Sequence, residues 1–226
     1  LSVVRYDATF AFVGFYICRP RLRGRGLGRE LFEAGLARVE AATLGLDGVL
    51  EQEANYARDG FVTAHHSVRY GGTLDLTSTG GDDLRALGIG DLDALVTFER
   101  AHQVFPAPRP AFLARWLTAP GSTALAVGDG NRIEGYGVAR ACREGHKIGP
   151  LFCPDRTAAE RLLLALVAHV DDGPIFLDVP TPNVDGTALA RDLGLEPVFE
   201  TARMYRGPAP ELYLDRVFGV TTFELG

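Results

Sequence analysis

Along this chain the spacing of apolar residues switches back and forth between the strand and helix periods. Phe10–Cys18 is apolar throughout apart from Gly14 and the Tyr16 hydroxyl, which predicts a strand buried on both faces. From Gly26 to Ala42 the period changes. Phe32, Gly35, Leu36 and Val39 fall at i, i+3, i+4 and i+7, the core face of a helix, and Gly45 marks its end. Leu46–Glu51 reads as a second strand, Ala54–Arg58 as a short helix and Phe61–Tyr70 as a third strand. Gly71–Gly90 has few large apolar residues and several Gly and Thr. It reads as a linker with one short strand near Leu84–Leu87.

A second series follows. Asp91–Gln103 and Pro110–Thr118 predict two helices. Thr123–Gly128 and Arg132–Cys142 predict a hairpin turning at Asp129-Gly130-Asn131, and His146–Phe152 a further strand. Thr157 with Glu160 three residues on has the form of a capping box opening a helix to about Val170. Pro174–Val179 is a buried strand, Val184–Leu193 a helix closed by Gly194, and Pro197–Tyr205 and Leu212–Phe223 two final strands. The halves echo each other: strand, turn, long helix, strand, short helix, glycine, strand. Asn55-Tyr56-Ala57-Arg58-Asp59-Gly60-Phe61 and Asn183 followed by Ala190-Arg191-Asp192-Leu193-Gly194-Leu195 show the echo best. This imperfect duplication predicts two related α/β (α+β) domains, residues 1–71 and 82–226, joined by a linker at 72–81.

Composition narrows the function classes. In 226 residues, 46% are hydrophobic and 23% charged, an ordinary globular balance. The net charge of −6 disfavours general nucleic-acid affinity, and no apolar run reaches the roughly 20 residues of a membrane helix. Cys18, Cys142 and Cys153 are scattered, odd in number and without metal-ligand spacing. A reduced, cytoplasmic protein without a metal is the expectation.

Against that acidic background, Arg19-Pro20-Arg21-Leu22-Arg23-Gly24-Arg25-Gly26-Leu27-Gly28 sits between a predicted strand and a predicted helix. Glycines let a ligand approach the backbone, the helix start offers unpaired N–H groups, and arginines add bidentate donors. Together they suit a pyrophosphate. A P-loop would need Lys-Ser or Lys-Thr, which is absent, and the dinucleotide fingerprint is one residue too long for Gly24-x-Gly26-x-Gly28. The pattern RxxGxG/A fits without adjustment.

That pattern, in this setting, resembles the coenzyme A-binding motif of the GNAT N-acetyltransferase superfamily. Phe15-Tyr16-Ile17-Cys18-Arg19-Pro20 resembles the family's splayed central strand, Leu46–Glu51 its parallel neighbour, and Asn55-Tyr56 to Gly60-Phe61 its Asn…Tyr-x-x-x-Gly-Phe segment. Residues 82–226 resemble the C-terminal domain of bacterial tandem GNAT proteins. They do so through Ile148-Gly149-Pro150-Leu151-Phe152, Leu177-Asp178-Val179-Pro180, Arg203-Met204-Tyr205-Arg206-Gly207 and Phe218–Gly226. The family fold opens with a strand, two helices and two more strands before the central strand. The resemblance therefore implies that about fifty residues of the first domain are missing from this chain.

The resemblance implies two tandem GNAT-like domains, each with a mixed sheet and splayed central parallel strands, and acetyl-CoA as co-substrate. Tyr16, Ile17, Cys18, Arg23, Gly24, Arg25, Gly26, Leu27, Gly28 and Asn55 are its implied contacts. Tyr56 would protonate the departing thiolate, and Glu51 would take a proton from a primary amine acceptor, with Glu53 and Asp7 as weaker candidates for that second task. A homodimer is compatible with the resemblance. The packed alternatives are Tyr56 as a core aromatic beside Phe61 and Glu51 as a solvated carboxylate. In the second half Cys153-Pro154-Asp155-Arg156-Thr157 replaces the glycine loop and Ala190 stands where Tyr56 would. This predicts a scaffold or acceptor-side domain there, with Asp178, Glu200, Arg203 and Tyr205 as candidate cleft residues. The rival function is a non-catalytic coenzyme A-binding protein.

Overall fold

The computed structural model describes residues 1–74, 84–128 and 132–226. In chain order its elements are β1 Ser2–Arg5, β2 Phe10–Gly14, α1 Leu27–Leu36, β3 Thr43–Val49, α2 Glu53–Arg58 and β4 Val62–Gly72. After them come β5 Leu84–Ala86, α3 Leu92–Ala101, α4 Pro110–Leu117, β6 Ser122–Val127, β7 Gly135–Ala141 and β8 His146–Phe152. The last are α5 Arg156–Ala168, β9 Ile175–Pro180, α6 Val184–Asp192, β10 Glu196–Arg206 and β11 Val217–Gly219. The class is mixed α/β. The Asp129-Gly130-Asn131 turn and the Thr77–Gly81 part of the linker lie outside the described residues.

The described residues form two compact units, and neither is a continuous stretch of chain. The first is Leu1–His65 with Thr201–Pro210 and Phe223–Gly226; the second is His66–Glu200 with Glu211–Thr222.

In the first unit β1 pairs antiparallel with β2, β2 runs parallel to β3, and the Thr201–Arg206 half of β10 pairs antiparallel with β3. Every residue of β2 is buried. Ala11 and Val13 face α1 and join Phe32, Leu44, Leu46, Tyr56, Phe61, Ala202 and Met204 in one core. The opposite face carries Phe10, Phe12 and Tyr205, with the Phe10 and Tyr205 ring centroids 6.5 Å apart. There too Arg203 makes two hydrogen bonds of 2.7 Å to the Asp47 carboxylate, directly opposite it in the strand register. These side chains are 5% and 0% exposed. Burial works against the guanidinium's charge, but the Asp47 carboxylate overrides it and holds the Arg203 pKa above its ordinary value.

The second unit repeats this device. Its sheet order is β4-β9-β8-β7-β6-β5, with β8 and β9 parallel. Arg69 of β4 lies opposite Asp178 of β9 and bonds both carboxylate oxygens at 2.7 and 3.0 Å. Lys147 of β8 reaches the same carboxylate. One face is covered by α5, whose Ala158, Ala159, Leu162, Leu163, Ala165 and Leu166 are buried. Between α3 and α4, buried Arg109 pairs with Glu99, which also accepts from Tyr136.

Several expected boundaries move, each for a local reason. β2 stops at Gly14 because Phe15 adopts a φ of 49°, a left-handed conformation that ends strand geometry. α1 stops at Leu36, where Arg38 and Val39 N–H groups turn back to Gly35 and Leu36. α5 is capped by Asp155, whose side chain accepts from Ala158 N–H, so the Thr157–Glu160 pattern lies inside the helix. Of Leu212–Phe223 only Val217–Gly219 is strand. β1, Ser2–Arg5, is a strand that the apolar spacing does not predict. Arg203, expected in the second domain's cleft, belongs to the first unit's sheet.

Arg203→Met removes the guanidinium that holds both oxygens of the buried Asp47 carboxylate and is expected to cost about 3–5 kcal/mol in a denaturant melt. Adding Asp47→Leu should recover most of that loss. Equal stability of the single and double variants would show that the pair is not what holds β10 on β3.

Candidate active site

The parallel pairing of β2 and β3 covers Phe10–Val13 and Thr43–Leu46 and goes no further. Beyond it the strands part. After β2 the chain runs through Phe15, Tyr16 and Ile17, all exposed, into a short turn at Pro20–Leu22 and then α1. Gly24 and Gly26 have φ of 71° and 79°, which a residue with a Cβ adopts only under strain. Gly26 is the N-cap, and among the described residues no side chain caps the free amides of the first turn. The loop is open. A Cβ on Gly24 would meet nothing within 4 Å, and one on Gly26 only the Glu30 carboxylate at 4.0 Å. Arg19, Arg21 and Arg25 are exposed. The Arg23 Nε bonds the Cys18 carbonyl at 3.0 Å and so closes the loop on itself. Arg29 joins Glu33 and Asp59, linking the start of α1 to the end of α2.

Tyr16 turns back over this helix start. A Cβ on Gly28 would lie 3.0 Å from its hydroxyl and 3.8 Å from the Cys18 Cβ, so Gly28 is small because Tyr16 and Cys18 are close. The Tyr16 ring packs 5.0 Å from Phe32, and Phe32 lies 5.9 Å from Tyr56. Tyr56 comes from α2, reached directly from β3, and its ring covers Gly48, where a Cβ would meet it at 2.7 Å. One tyrosine follows each parted strand, and both pack on Phe32. Burial first and the neighbouring Tyr16 second raise the Tyr56 phenol above its ordinary 10, so it holds its proton at neutral pH. Partial burial of its ring against the helix start, with the neighbouring Cys18 second, likewise raises Tyr16.

The other expected residues stand apart from this cluster. Glu51 is exposed on the turn Leu50–Gln52. Asn55 is exposed and engages Gln52 and Arg58. Glu53 accepts from Thr63. Burial would raise Asp7, but hydrogen bonds from Thr9 and Phe10 outweigh it and hold its carboxyl below the ordinary range, a turn-forming role. A hollow of about 680 Å³ between Arg5, Glu40 and Arg206 lies by Ala8 and Ala42, where β2 and β3 begin. Ligands of such sheets bind at the other end of the strands. Among the described residues no group of three or more His, Cys, Asp or Glu is placed to hold a metal ion, and no helix is long and apolar enough to cross a membrane.

The same place in the second unit is built differently. β8 and β9 pair only over His146–Ile148 and Ile175–Leu177. Past that point β11 pairs with Leu151 and Phe152 of β8, and Val220 N–H bonds the Asp178 carbonyl of β9 at 2.9 Å. Asn183 ties the segment down through the Asp215 and Val217 carbonyls, and Thr221 accepts from buried Arg109. The opening between the strands is filled by the chain itself. Asp155 occupies the first-turn amide that a phosphate would use, Arg156 pairs with Asp192, and Ala190 is fully buried.

Comparison with known proteins places this geometry in a family. The model of the acetyltransferase (GNAT) domain matches residues 98–219, more than half of the chain. The chain belongs to the GNAT acetyltransferase family. A holothin acyltransferase from Pseudoalteromonas sp. (strain SANK 73390) is 29% identical over 227 residues, spanning 100% of this chain and 76% of that protein. A candidate acetyltransferase from Pyrococcus horikoshii superposes with a TM-score of 0.83 at 22% identity, over 99% of this chain and 74% of that one. A tandem GNAT protein from the clavulanic acid biosynthesis pathway gives 0.59 at 17% identity, over 90% and 77%. This GNAT chain is therefore an acyltransferase. The matched residues fall mainly in the second unit, whereas the arginine–glycine loop lies in the first.

The two helix starts should respond differently to mutation. Asp155→Ala removes a side-chain cap and is expected to cost about 1 kcal/mol in a denaturant melt. Arg25→Ala, on the open loop, should stay within about 0.5 kcal/mol. The reverse order would mean that the Arg25 loop, rather than the Asp155 cap, is built for stability.

Proposed function

We propose that this protein transfers an acetyl group from acetyl-CoA to a primary amine, on a small molecule or a peptide, and that the first unit does the chemistry. The observation that carries this reading is the contrast between the two helix starts. One is glycine-lined, uncapped and flanked by exposed arginines; the other is capped by its own aspartate beside an opening its own chain fills. The reading also takes support from a relative named for acyl transfer to holothin. On this reading the protein works in the cytoplasm, and the second unit is a scaffold.

The residues present fit the pyrophosphate of coenzyme A. Amides from Arg23 to Gly28 would hold it, with Arg19, Arg21 and Arg25 supplying charge. Tyr16, Ile17, Cys18 and Asn55 would border the arm that follows. Coenzyme A supplies the thioester and a good leaving group. The amine nitrogen attacks the thioester carbonyl, a C–N bond forms and the C–S bond breaks. A backbone amide at the end of β2 polarises the carbonyl oxygen. Tyr56, protonated and beside the parted strands, gives its proton to the departing sulfur, and Glu51 takes the proton the amine loses, directly or through water. Most of the acceleration comes from holding the two reactants together.

Gly26→Val should weaken binding of coenzyme A in calorimetry, because it strains a φ of 79° and covers the amides. Tyr56→Phe should lower kcat by about 10²-fold or more in acetyl-CoA turnover with a panel of amines. Asp155→Ala should leave turnover intact. Loss of activity in Asp155→Ala with none in Tyr56→Phe would move the chemistry to the second unit. Tight coenzyme A binding without turnover of any amine would support the alternative, a sensor or scaffold that only binds.

A further inference from the structure

The last residues of the chain lie against the reacting end of the first unit. Gly14, where β2 leaves β3, has no room for a side chain. Its Cβ would fall 2.0 Å from the Glu224 carbonyl oxygen and 2.8 Å from the Glu224 Cα. Tyr6 donates a 2.6 Å hydrogen bond to the Leu225 carbonyl and stacks on Phe10 at 6.0 Å with its ring 16° from parallel. Phe10, Phe12 and Gly14 share one face of β2, because side chains alternate along a strand. Ala11 and Val13 take the other face, with Phe32 of α1. The Glu224–Gly226 backbone thus runs along the face opposite α1, in van der Waals contact with the strand end.

That position bears on chemistry. A ligand whose phosphates sit at the start of α1 and whose arm passes between the parted β2 and β3 emerges on the opposite face, beside Gly14. The backbone of Glu224 already occupies the space next to Gly14. An acyl chain that extended there would meet packed main chain.

We propose that Glu224–Gly226 walls the acyl end of the site and restricts the enzyme to short acyl groups, with Tyr6 as the positioning residue that holds this wall. The proposal rests on the arginine–glycine loop being the coenzyme A site. It selects by exclusion, a steric discrimination of the kind hydrophobic pockets make against extra methylenes.

The test uses the full chain and calorimetry with coenzyme A, acetyl-CoA, butyryl-CoA and hexanoyl-CoA. The wild type should bind the first two with similar affinity and hexanoyl-CoA about tenfold or more weakly. Tyr6→Phe keeps the ring stack and removes the bond to Leu225. It should narrow the hexanoyl-to-acetyl gap several-fold while leaving coenzyme A affinity and the thermal melt unchanged. Equal wild-type affinity for all three acyl forms overturns the proposal. So does a gap that Tyr6→Phe leaves untouched, or a variant that weakens coenzyme A as much as hexanoyl-CoA. A wild type that binds none of the four ligands overturns the loop assignment and this proposal with it. Discrimination without a Tyr6 effect overturns the wall alone.

Discussion

A carboxylate in the middle of a buried strand must be neutralised, and in this chain the choice of partner decides how the sheets are built. Asp47 and Asp178 occupy matching places in Leu46-Asp47-Gly48-Val49 and Leu177-Asp178-Val179-Pro180. Each is shut off from solvent, and each is met in register by an arginine on an antiparallel neighbour, Arg203 and Arg69. An unpaired carboxylate there would cost several kcal/mol, which favours a neighbouring strand that brings a cation to that position. The partner of Asp47 arrives from the far end of the chain. The first unit is therefore complete only when Thr201–Arg206 has joined it, and neither unit is a continuous piece of sequence.

This arrangement holds the parted strands in place. β3 is fixed on one side by β2 and on the other by β10, so its end at Val49 and the Tyr56 helix that follows are set firmly against Phe32. The loop after β2 is anchored instead by small local devices, the Arg23 bond to the Cys18 carbonyl and the Arg29 link to Asp59. A strand pair held by its neighbours, with an open, exposed loop at its end, suits the proposed site, which has to admit and release a large, charged ligand.

The two units end their parallel strand pairs differently. Both have parallel strands that part and a helix that starts in the gap. In the second unit Asp155 takes the helix amide and β11 takes the gap, so the polar groups that could serve a ligand are satisfied within the chain. In the first unit Gly26 offers no side chain to do the same. A glycine in place of an aspartate separates a helix start that is stable by itself from one left open to an anion.

The sequence by itself determined the mixed α/β class, most elements to within a few residues, the glycine loop at a helix start and the family it resembles. These are local properties: apolar period, glycine placement and a charge cluster appear within a dozen residues. The tertiary structure decided that Arg203 serves Asp47, that the C-terminal segment fills one gap and lies against Gly14 at the other, and that Tyr16 and Tyr56 meet on Phe32. Each depends on residues far apart in the chain. A buried Asp announces that it needs a partner, but register and packing alone determine which of the 23 Lys and Arg residues supplies it.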